Sequence, residues 1–352
     1  MALIICGIDE AGYGPLLGPL CVAMSAVRIE NWAEGDRAPD VWKLLRKAVA
    51  RAGTAPRPVP VGAVVIKKKH PRAGVGRILV DDSKKLKLAN DGKRHPLTHL
   101  ERGVLSFLLC RDGVDGPDLP ASDSALMRAL GVRMPTQEWY HSAECVCPAA
   151  CSAGEVLIGA NVLRSEMAGA GVSCLSVECR VLCEREFNEV VRLAGTKAAA
   201  TEAALVAHLW VAWEKWAGLF SADGGPALRV VCDRQGGRTQ YAGLLARAFT
   251  DARVTTVEER PARCRYEVDS GSRRMVVQFM PEAESHHLPV ALASMAAKLT
   301  RETLMGRFNR YWNARLPELK PTAGYRQDGW RWLTDVAAVL TGAEREAMIR
   351  KG

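Results

Sequence analysis

The chain has 352 residues and is 48% hydrophobic, which is enough apolar material for one large core or two smaller ones. Its formal net charge of +9 at pH 7 favours a polyanionic binding partner. No apolar run reaches the roughly 20 residues of a membrane-spanning helix, and the first residues lack the basic segment and cleavage site of a secretory signal. With eleven cysteines, an odd number, the composition predicts a cytoplasmic protein with reduced thiols and no membrane association.

The first 29 residues predict two strands joined by a turn rich in glycine and proline. Asp9 and Glu10 stand at the end of the first strand. Adjacent side chains of a flat strand point to opposite faces, but a strand that bends into a glycine turn can bring both carboxylates to one point. Two hard oxygen donors beside a tight turn suit a divalent cation with a phosphate next to it. A surface turn with two solvated acids is the alternative.

Two basic stretches come next. Residues 30–78 have the composition of an insertion and carry three consecutive lysines at 67–69. The apolar residues 78–80 then lead to Ser83, Lys84 and Lys85 after two aspartates. Lysines bind phosphates as mobile point charges, so both stretches could belong to a nucleic-acid face. An exposed loop and a solvated lysine pair are the alternatives.

Strands and helices interleave in the second half of the chain. Residues 155–187 contain strand-like runs, and residues 186–218 have helical periodicity. A buried strand is predicted over 228–232 and a hairpin over 263–280. A long helix with small residues on one side follows over 289–312. Because strands and helices alternate, the sequence predicts an α/β fold with a mixed sheet.

Two residue clusters have both a structural and a functional interpretation. A zinc site could be formed by His141, Cys145, Cys147, Cys151, Cys174, Cys179 and Cys183. The spacing is not that of a standard zinc knuckle, and cysteine in strand-like runs behaves as a small hydrophobe, which favours buried free thiols. Trp210, Trp213 and Trp216 recur at three-residue spacing, which is typical of helix packing, with a nucleic-acid stacking platform as the alternative.

Four acids lie at the ends of predicted strands or just before a helix. They are Asp9, Glu10, Asp233 and Glu284. Such positions can gather at one edge of an α/β sheet, where ligands bind. Four acids in one place repel one another unless divalent cations neutralise them. The combination therefore indicates a two-metal phosphoryl-transfer site, and Glu282 is the alternative to Glu284 as its fourth ligand.

Five short motifs of this chain resemble motifs of the type 2 ribonucleases H (ribonuclease HII), and they occur in the same order in both. Residues 7–15 resemble the opening motif of that family, which reads Asp-Glu-Ala-Gly-Arg-Gly-Pro. The other four resemblances fall at residues 82–86, 231–233, 293–302 and 324–325. Together they cover roughly 150 residues, with insertions between them.

This resemblance implies a ribonuclease H-like fold, in which a mixed central sheet is flanked by helices. Residues 1–312 would form the catalytic domain, with insertions at about 30–78 and 90–170. Residues 313–352 would form a C-terminal helical extension that completes the substrate groove. The implied protein is a monomer.

The resemblance also implies a reaction. The enzyme would hydrolyse the RNA strand of RNA–DNA hybrids, or ribonucleotides embedded in duplex DNA, with two Mg²⁺ or Mn²⁺ ions and leave 5′-phosphate and 3′-hydroxyl ends. Asp9, Glu10 and Asp233 match the family's metal ligands. Glu284 falls where the family has an aspartate, so the metal geometry, rate or metal preference could differ.

The same comparison implies a set of substrate contacts. These are Gly12, Tyr13, Gly14, Ser83, Lys84, Lys85, Lys298 and Tyr325. In the family, the backbone of the glycine turn senses the 2′-hydroxyl, and a tyrosine at the position of Tyr325 stacks on the following deoxyribose. Tyr13 replaces the family's arginine and Arg326 replaces its proline, which brings single-ribonucleotide specificity into question. Asp328 could also approach the site.

Two other functions stay open at this point. One is a nucleic-acid-binding protein that keeps the fold but cleaves weakly or not at all. The other is a nuclease of the same fold that acts on another substrate, such as structured DNA.

Overall fold

One mixed sheet of seven strands organises the computed structural model, which describes residues 1–53, 77–89, 92–113, 118–219 and 227–351. In chain order the strands are β1 (Leu3–Ala11), β2 (Leu20–Ile29), β3 (Val49–Ala50), β4 (Ile78–Leu79), β5 (Val172–Leu182), β6 (Ala227–Asp233), β7 (Arg253–Arg260), β8 (Arg263–Asp269) and β9 (Arg274–Met280). Across the main sheet their order is β5-β2-β1-β6-β9-β8-β7, while β3 and β4 form a separate parallel pair. The three lysines at 67–69 lie outside the described residues.

Helices lie on both faces of this sheet. In chain order they are α1 (Val41–Leu44), α2 (Ser83–Leu86), α3 (Thr98–Leu108), α4 (Asp123–Ala129), α5 (Ala153–Ala170), α6 (Glu184–Ala194), α7 (Ala198–Trp216), α8 (Ala242–Ala248), α9 (Leu288–Arg315), α10 (Arg326–Asp335) and α11 (Gly342–Met348). Short 3₁₀ turns occupy Glu138–Tyr140, Ala217–Leu219 and Ala283–Ser285. Within these described residues, no helix is long and apolar enough to cross a membrane.

Strand directions make the sheet mixed. β1 runs antiparallel to β2, and β2 antiparallel to β5. On its other side β1 is parallel to β6, which is parallel to β9. The hairpin of β8 and β9 and the pairing of β7 with β8 are antiparallel. The predicted α/β class, a mixed sheet flanked by helices, is confirmed.

Alternation along β1 divides the apolar core into two layers. Ile4, Cys6 and Ile8 belong to the layer that contains α7 and α8, whereas Leu3 and Ile5 belong to the layer of α3, α5 and α9. Gly7 lies against the start of α9, where a Cβ atom would come within 2.1 Å of the Val290 nitrogen. This close approach needs glycine and brings α9 directly onto β1.

The C-terminal segment shares the layer of α9. Trp332 of α10 packs on Phe308 and Trp312 of α9, with ring centroids 4.9 and 5.7 Å apart. Trp139, from the 3₁₀ turn, joins the same cluster at 6.2 Å from Phe308. Residues after 313 and part of the second insertion therefore pack against the same aromatic side chains of α9.

One secondary-structure expectation was wrong, and the helical periodicity over 186–218 is confirmed. Residues 155–170 belong to α5, not to strand-like runs, and only β5 fits that expectation. Ser152 and Glu155 form a capping box in which the Glu155 amide donates to the Ser152 hydroxyl at 3.2 Å, and this local signal starts the helix. The helical stretch over 186–218 is two helices, because the backbone of Gly195 is left-handed and ends α6.

The tryptophans of α7 and the two cysteines of β5 serve packing. Trp213 is buried, Trp210 is 39% exposed, and both rings contact Phe249, with centroids 5.3 and 5.0 Å away. Cys174 and Cys179 lie buried on β5 as free thiols, and none of the eleven cysteines forms a disulfide. Burial raises the pKa of the Cys174 thiol to about 12, which keeps it protonated.

Candidate active site

The ends of β1 and β6 bring two of the predicted acids together. Ile8 pairs with Cys232 in the parallel ladder, so Asp9 and Asp233 are the next residues on neighbouring strands. Asp9 is only 8% exposed. The carboxylate of Asp233 accepts a hydrogen bond of 3.1 Å from the backbone N–H of Ala283. The 3₁₀ turn that holds Glu284 is thereby fixed to the end of β6.

The four acids perturb one another's protonation. Burial, then the charge of Asp233, then that of Glu284 raise the pKa of Glu10 to about 7. Burial and then the charge of Glu10 raise the pKa of Asp9 well above its usual range. For Glu284, burial comes first and the charge of Asp233 adds to it, so its pKa is also raised. The carboxylates predicted from separate strands therefore lie in one electrostatic field.

Glu284, and not Glu282, faces this field. One carboxylate oxygen of Glu284, Oε2, is buried and accepts no hydrogen bond from the described residues. Glu282 is exposed and sits at a left-handed backbone position with φ 52°. A buried carboxylate oxygen without a donor is costly unless a cation or water satisfies it.

A fifth carboxylate joins the cluster. The charge of Asp82 adds to burial in raising the pKa of both Asp233 and Glu284. Its side chain also accepts the backbone N–H of Lys84 at 2.9 Å and so starts α2. Sequence reasoning placed Asp82 within a motif but not at the site. Its capping position could have been read from the sequence, but its proximity to Asp233 could not.

The predicted lysines separate into two groups. Lys84 is exposed, and its charge lowers the pKa of Glu10, Asp233 and Glu284, so its ammonium group faces the acids. Lys85 instead pairs with the buried Asp81 at 3.2 Å.

Lys298 is likewise engaged elsewhere. Its ammonium group pairs with Glu302 at 2.9 Å, and Lys87 reaches the same carboxylate at 3.0 Å. Lys84 is thus the predicted lysine that the fold brings directly to the acid cluster.

Serine hydroxyls connect the second motif to the first. Ser83 and Ser294 are both buried, and their hydroxyl oxygens are 3.0 Å apart in a hydrogen bond. The Ser294 hydroxyl also hydrogen-bonds to Asp9, which opposes the rise in the pKa of that carboxyl. Ser83 therefore supports Asp9 through Ser294 and lies beneath the surface of the site.

The carbonyl groups of the glycine turn accept hydrogen bonds that fix its backbone. Gly12 has φ +92°, and a Cβ atom there would lie 2.5 Å from Nε of Arg301, so the position requires glycine. Arg350 donates to the carbonyl oxygens of Gly12 and, at 2.9 Å, of Tyr13. The Tyr13 side chain is 40% exposed, and the space around Gly14 is open. The turn therefore presents its outer surface and the Tyr13 ring to solvent.

Sequence reasoning missed the buried polar groups beneath this turn. Glu184 is fully buried and accepts the Tyr140 hydroxyl at 2.7 Å and the Gly18 N–H at 3.1 Å. Burial raises the pKa of Glu184 to about 7 and lowers the pKa of Arg350 to about 10. Arg350 is separated from the turn by more than three hundred residues of sequence, and no local pattern indicates the contact.

The C-terminal segment is bonded to the residues that follow the glycine turn. The Gly324 carbonyl accepts the backbone N–H groups of Leu16 and Leu17 at 2.8 and 3.0 Å. Tyr325 is 49% exposed, and the guanidinium of Arg301 lies 5.7 Å from its ring centroid.

Asp328 has other partners than the acid cluster. It accepts hydrogen bonds from the Thr322 hydroxyl at 2.5 Å and from Arg331 at 2.6 Å. The fold therefore uses Asp328 to tie α10 to the segment before it.

The acid cluster has the donor chemistry for a hard divalent cation. Its donors are carboxylate oxygens, which Mg²⁺ and Mn²⁺ prefer, and Glu284 contributes a buried oxygen without a hydrogen bond. Over the described ranges, no three His, Cys, Asp or Glu side chains are already close enough together to hold a metal ion. The residues fit such an ion in type and charge, and its binding would require their side chains to draw together.

The known proteins that match this chain are solved structures. No protein-family model matches the chain, and no curated protein matches it. The chain is similar to the RNase HII in its complex with PCNA from Archaeoglobus fulgidus, with 13% identity over 99% of this chain and 94% of that one and a TM-score of 0.40. It is also similar to ribonuclease H2 from Pyrococcus horikoshii OT3, with 13% identity over 98% and 97% of the two chains and a TM-score of 0.42. For Bst-RNase HIII in complex with Mn²⁺, identity is 14% over 99% of this chain and 66% of that one, with a TM-score of 0.38.

These solved structures are type 2 ribonucleases H. Their names, RNase HII, ribonuclease H2 and RNase HIII, agree with the family that the five sequence motifs resemble.

Proposed function

We propose that the protein is a metal-dependent endonuclease of the type 2 ribonuclease H kind. Its substrate would be the RNA strand of an RNA–DNA hybrid, or a ribonucleotide embedded in duplex DNA. The observation that carries this proposal is the placement of Asp9 and Asp233 at the ends of neighbouring strands, with the turn of Glu284 bonded to Asp233. Burial and the charges of neighbouring carboxylates raise the pKa values of these three acids and of Glu10. Acids gathered in this way at a sheet edge favour phosphoryl-transfer chemistry over a structural role.

The same four carboxylates would hold two Mg²⁺ or Mn²⁺ ions. Such ions supply activation of a water nucleophile and stabilisation of the departing 3′ oxygen, which gives 5′-phosphate and 3′-hydroxyl ends. The oxygen of Glu284 that has no hydrogen-bond donor supports its inclusion among the ligands. Ser294 holds Asp9 through a hydrogen bond, so the orientation of that ligand is set by α9.

Other residues would position the nucleic acid. Lys84 faces the acids and would neutralise a phosphate beside them. The outer surface of the turn at Gly12 and Gly14 would approach the sugar, and the exposed ring of Tyr325 would stack on the next one. Lys85 and Lys298 would contribute at a distance, because ion pairs engage both. We further propose that the enzyme acts as a monomer in the cytoplasm, in replication and repair.

One observation supports a different substrate preference. Tyr13 is 40% exposed at the tip of the glycine turn, where the resembled family has a guanidinium group. A phenol ring can stack on a base or sugar but cannot make the paired hydrogen bonds that arginine makes to phosphate. A nuclease that accepts another duplex is therefore the second candidate.

A panel of three duplexes tests these functions. The protein would be incubated with Mg²⁺ or Mn²⁺ and a duplex with one ribonucleotide, an RNA–DNA hybrid or an all-DNA duplex. Cleavage of either ribonucleotide-containing duplex is expected. No cleavage of any duplex would refute the enzyme, and cleavage of the all-DNA duplex alone would refute the ribonuclease.

Matched variants assign the activity to the cluster. Asp233→Asn and Glu284→Gln should each abolish cleavage while leaving thermal unfolding cooperative, because each removes a charge from the site. Glu282→Gln removes the same charge two residues away on an exposed side chain and should leave cleavage unchanged. Equal loss in Glu282→Gln and Glu284→Gln would remove Glu284 from the proposed site.

A further inference from the structure

A groove with a volume of about 1460 Å³ lies on the face of β6, β9 and β8 that carries Asp233. Arg229 and Val231 of β6 line the groove, and by strand alternation they share a face with Asp233. The segment from Trp32 to Lys43 forms the opposite wall. Ser285 lines the near end of the groove directly after Glu284. The groove therefore starts beside the acid cluster and runs away from it along the sheet.

Positive charge predominates among the described residues that line this groove. They include eight arginines and lysines but five aspartates and glutamates. Ion pairs use part of this charge: Glu258 pairs with Arg263 at 2.5 Å and with Arg260 at 3.7 Å. Arg274 lies 3.6 Å from both Glu34 and Glu267. Arg229 and Arg265, on the floor of the groove, take part in none of these ion pairs.

Arg229 and Arg265 form that unpaired floor. Gln278 of β9 stands between Val231 and Arg265 in the register, so Arg265 lies two strands from β6 and close to the row of Arg229. Both arginines are half-buried, and neither forms an ion pair with an acid of the described residues. Arg229 packs over the Trp32 ring at 4.9 Å and donates to the Asp36 carbonyl oxygen at 3.4 Å. Nε of Arg265 is buried and has no hydrogen-bond partner among the described residues.

This arrangement is unfavourable without an anion. Burial and then the positive charge of Arg265 lower the pKa of Arg229, so the two guanidinium groups repel each other in a partly desolvated setting. A buried guanidinium N–H that makes no hydrogen bond adds a further cost. Phosphate oxygens accept paired hydrogen bonds from arginine and would remove both costs.

We propose that Arg229 and Arg265 bind phosphates of the nucleic-acid strand that extends from the acid cluster along this groove. This inference rests on the proposed nuclease function and assigns a second contact region to its substrate. Asp233 lies four positions after Arg229 on β6, or about 13 Å away at the strand rise. That length matches roughly four nucleotide steps along a duplex axis. The substrate must therefore continue about four nucleotides beyond the cut to reach both arginines.

The test measures binding without cleavage. Fluorescence anisotropy in EDTA would measure the affinity for a short and a long hybrid. The short hybrid extends about two base pairs beyond the ribonucleotide at the cut, and the long hybrid extends about ten, on one side or the other. The variants are Arg229→Ala/Arg265→Ala, the charge-retaining Arg229→Lys/Arg265→Lys, and Arg247→Ala. Arg247 is an exposed arginine of α8, which packs on the opposite face of the sheet.

The double alanine variant should bind the long hybrid about tenfold more weakly, with a salt slope smaller by about two, since each lost phosphate contact contributes about 0.9. Its binding of the short hybrid, and its cleavage of that hybrid with Mg²⁺, should match the wild type. The double lysine variant should keep most of the slope, and Arg247→Ala should keep all of it. The proposed phosphate contacts would be refuted if the wild type and the double alanine variant bound the long hybrid with equal affinity. They would also be refuted if Arg247→Ala lost as much affinity as the double alanine variant. Because binding is measured without metal, a protein that cleaves nothing could still confirm it.

Discussion

Binding of Mg²⁺ to the acid cluster should release protons near neutral pH. The pKa of Glu10 is raised from 4.5 to about 7, first by burial and then by the charges of Asp233 and Glu284. At about pH 6 a carboxyl with this pKa is about 90% protonated, and at about pH 8.5 only about 3% protonated. A divalent cation needs the ionised carboxylate, so its binding displaces the proton.

The protonated fraction of Glu10 sets the number of protons that Mg²⁺ binding releases. Glu10 alone should release about 0.9 proton per protein at pH 6 and almost none at pH 8.5. Asp9, whose pKa is also raised by burial and by Glu10, adds to the release. Because the pKa of Glu10 is raised, its neutral form is favoured below about pH 7. The apparent metal affinity therefore rises as the pH increases through that value.

Isothermal titration calorimetry in two buffers of different ionisation enthalpy measures the released protons. The wild type would be titrated with Mg²⁺ at both pH values, beside Glu10→Gln and the exposed control Glu282→Gln. Glu282→Gln should behave as the wild type, and Glu10→Gln should release about one proton fewer at pH 6. Mg²⁺ binding without proton release at pH 6 would refute the shared field of the carboxylates.

Two further variants test the support beneath the glycine turn. Arg350→Ala removes hydrogen bonds to the carbonyls of Gly12 and Tyr13, worth about 1.5–3 kcal/mol each, while relieving a burial cost of about 3 kcal/mol. The difference is a net loss of about 0–3 kcal/mol of stability. We also expect at least about a tenfold loss of kcat/KM for the hybrid, and no loss for the exposed Arg345→Ala. A loss of stability well above about 3 kcal/mol would contradict this account. Neutral Glu184 stabilises the fold below about pH 4.5, and about 3 kcal/mol of this is lost as pH rises through about 7. Urea unfolding of Glu184→Gln should therefore vary less between pH 5 and 8 than that of the wild type, and an unchanged pH dependence would refute a titrating Glu184.

Much of the fold was predictable because its signals are local. An uninterrupted apolar run with a breaker at each end indicates a strand, and β1, β2, β6 and the β8–β9 hairpin follow this rule. The prediction was wrong at residues 155–170, where apolar and small residues alternate irregularly and the capping box was overlooked. It also left β7 unassigned, a strand rich in charged residues that pairs at the edge of the sheet.

The sequence by itself determined which acids stand at strand ends, and that a glycine turn follows the first pair. These are properties of neighbouring residues, so spacing and residue type are sufficient to read them. Only the tertiary structure distinguished Glu284 from Glu282 and Lys84 from Lys85, because side-chain direction depends on the turn and helix that carry each pair.

Contacts between distant segments were also decided by tertiary structure alone. Arg350 reaches the glycine turn across nearly the whole chain, and Arg229 meets Arg265 through the register of three strands. No local pattern encodes either contact, because each arises when packing of the whole sheet brings separate segments to one place. The positions of the acids could therefore be predicted from the sequence, whereas the groups that hold the turn and line the groove are identified only from the folded structure.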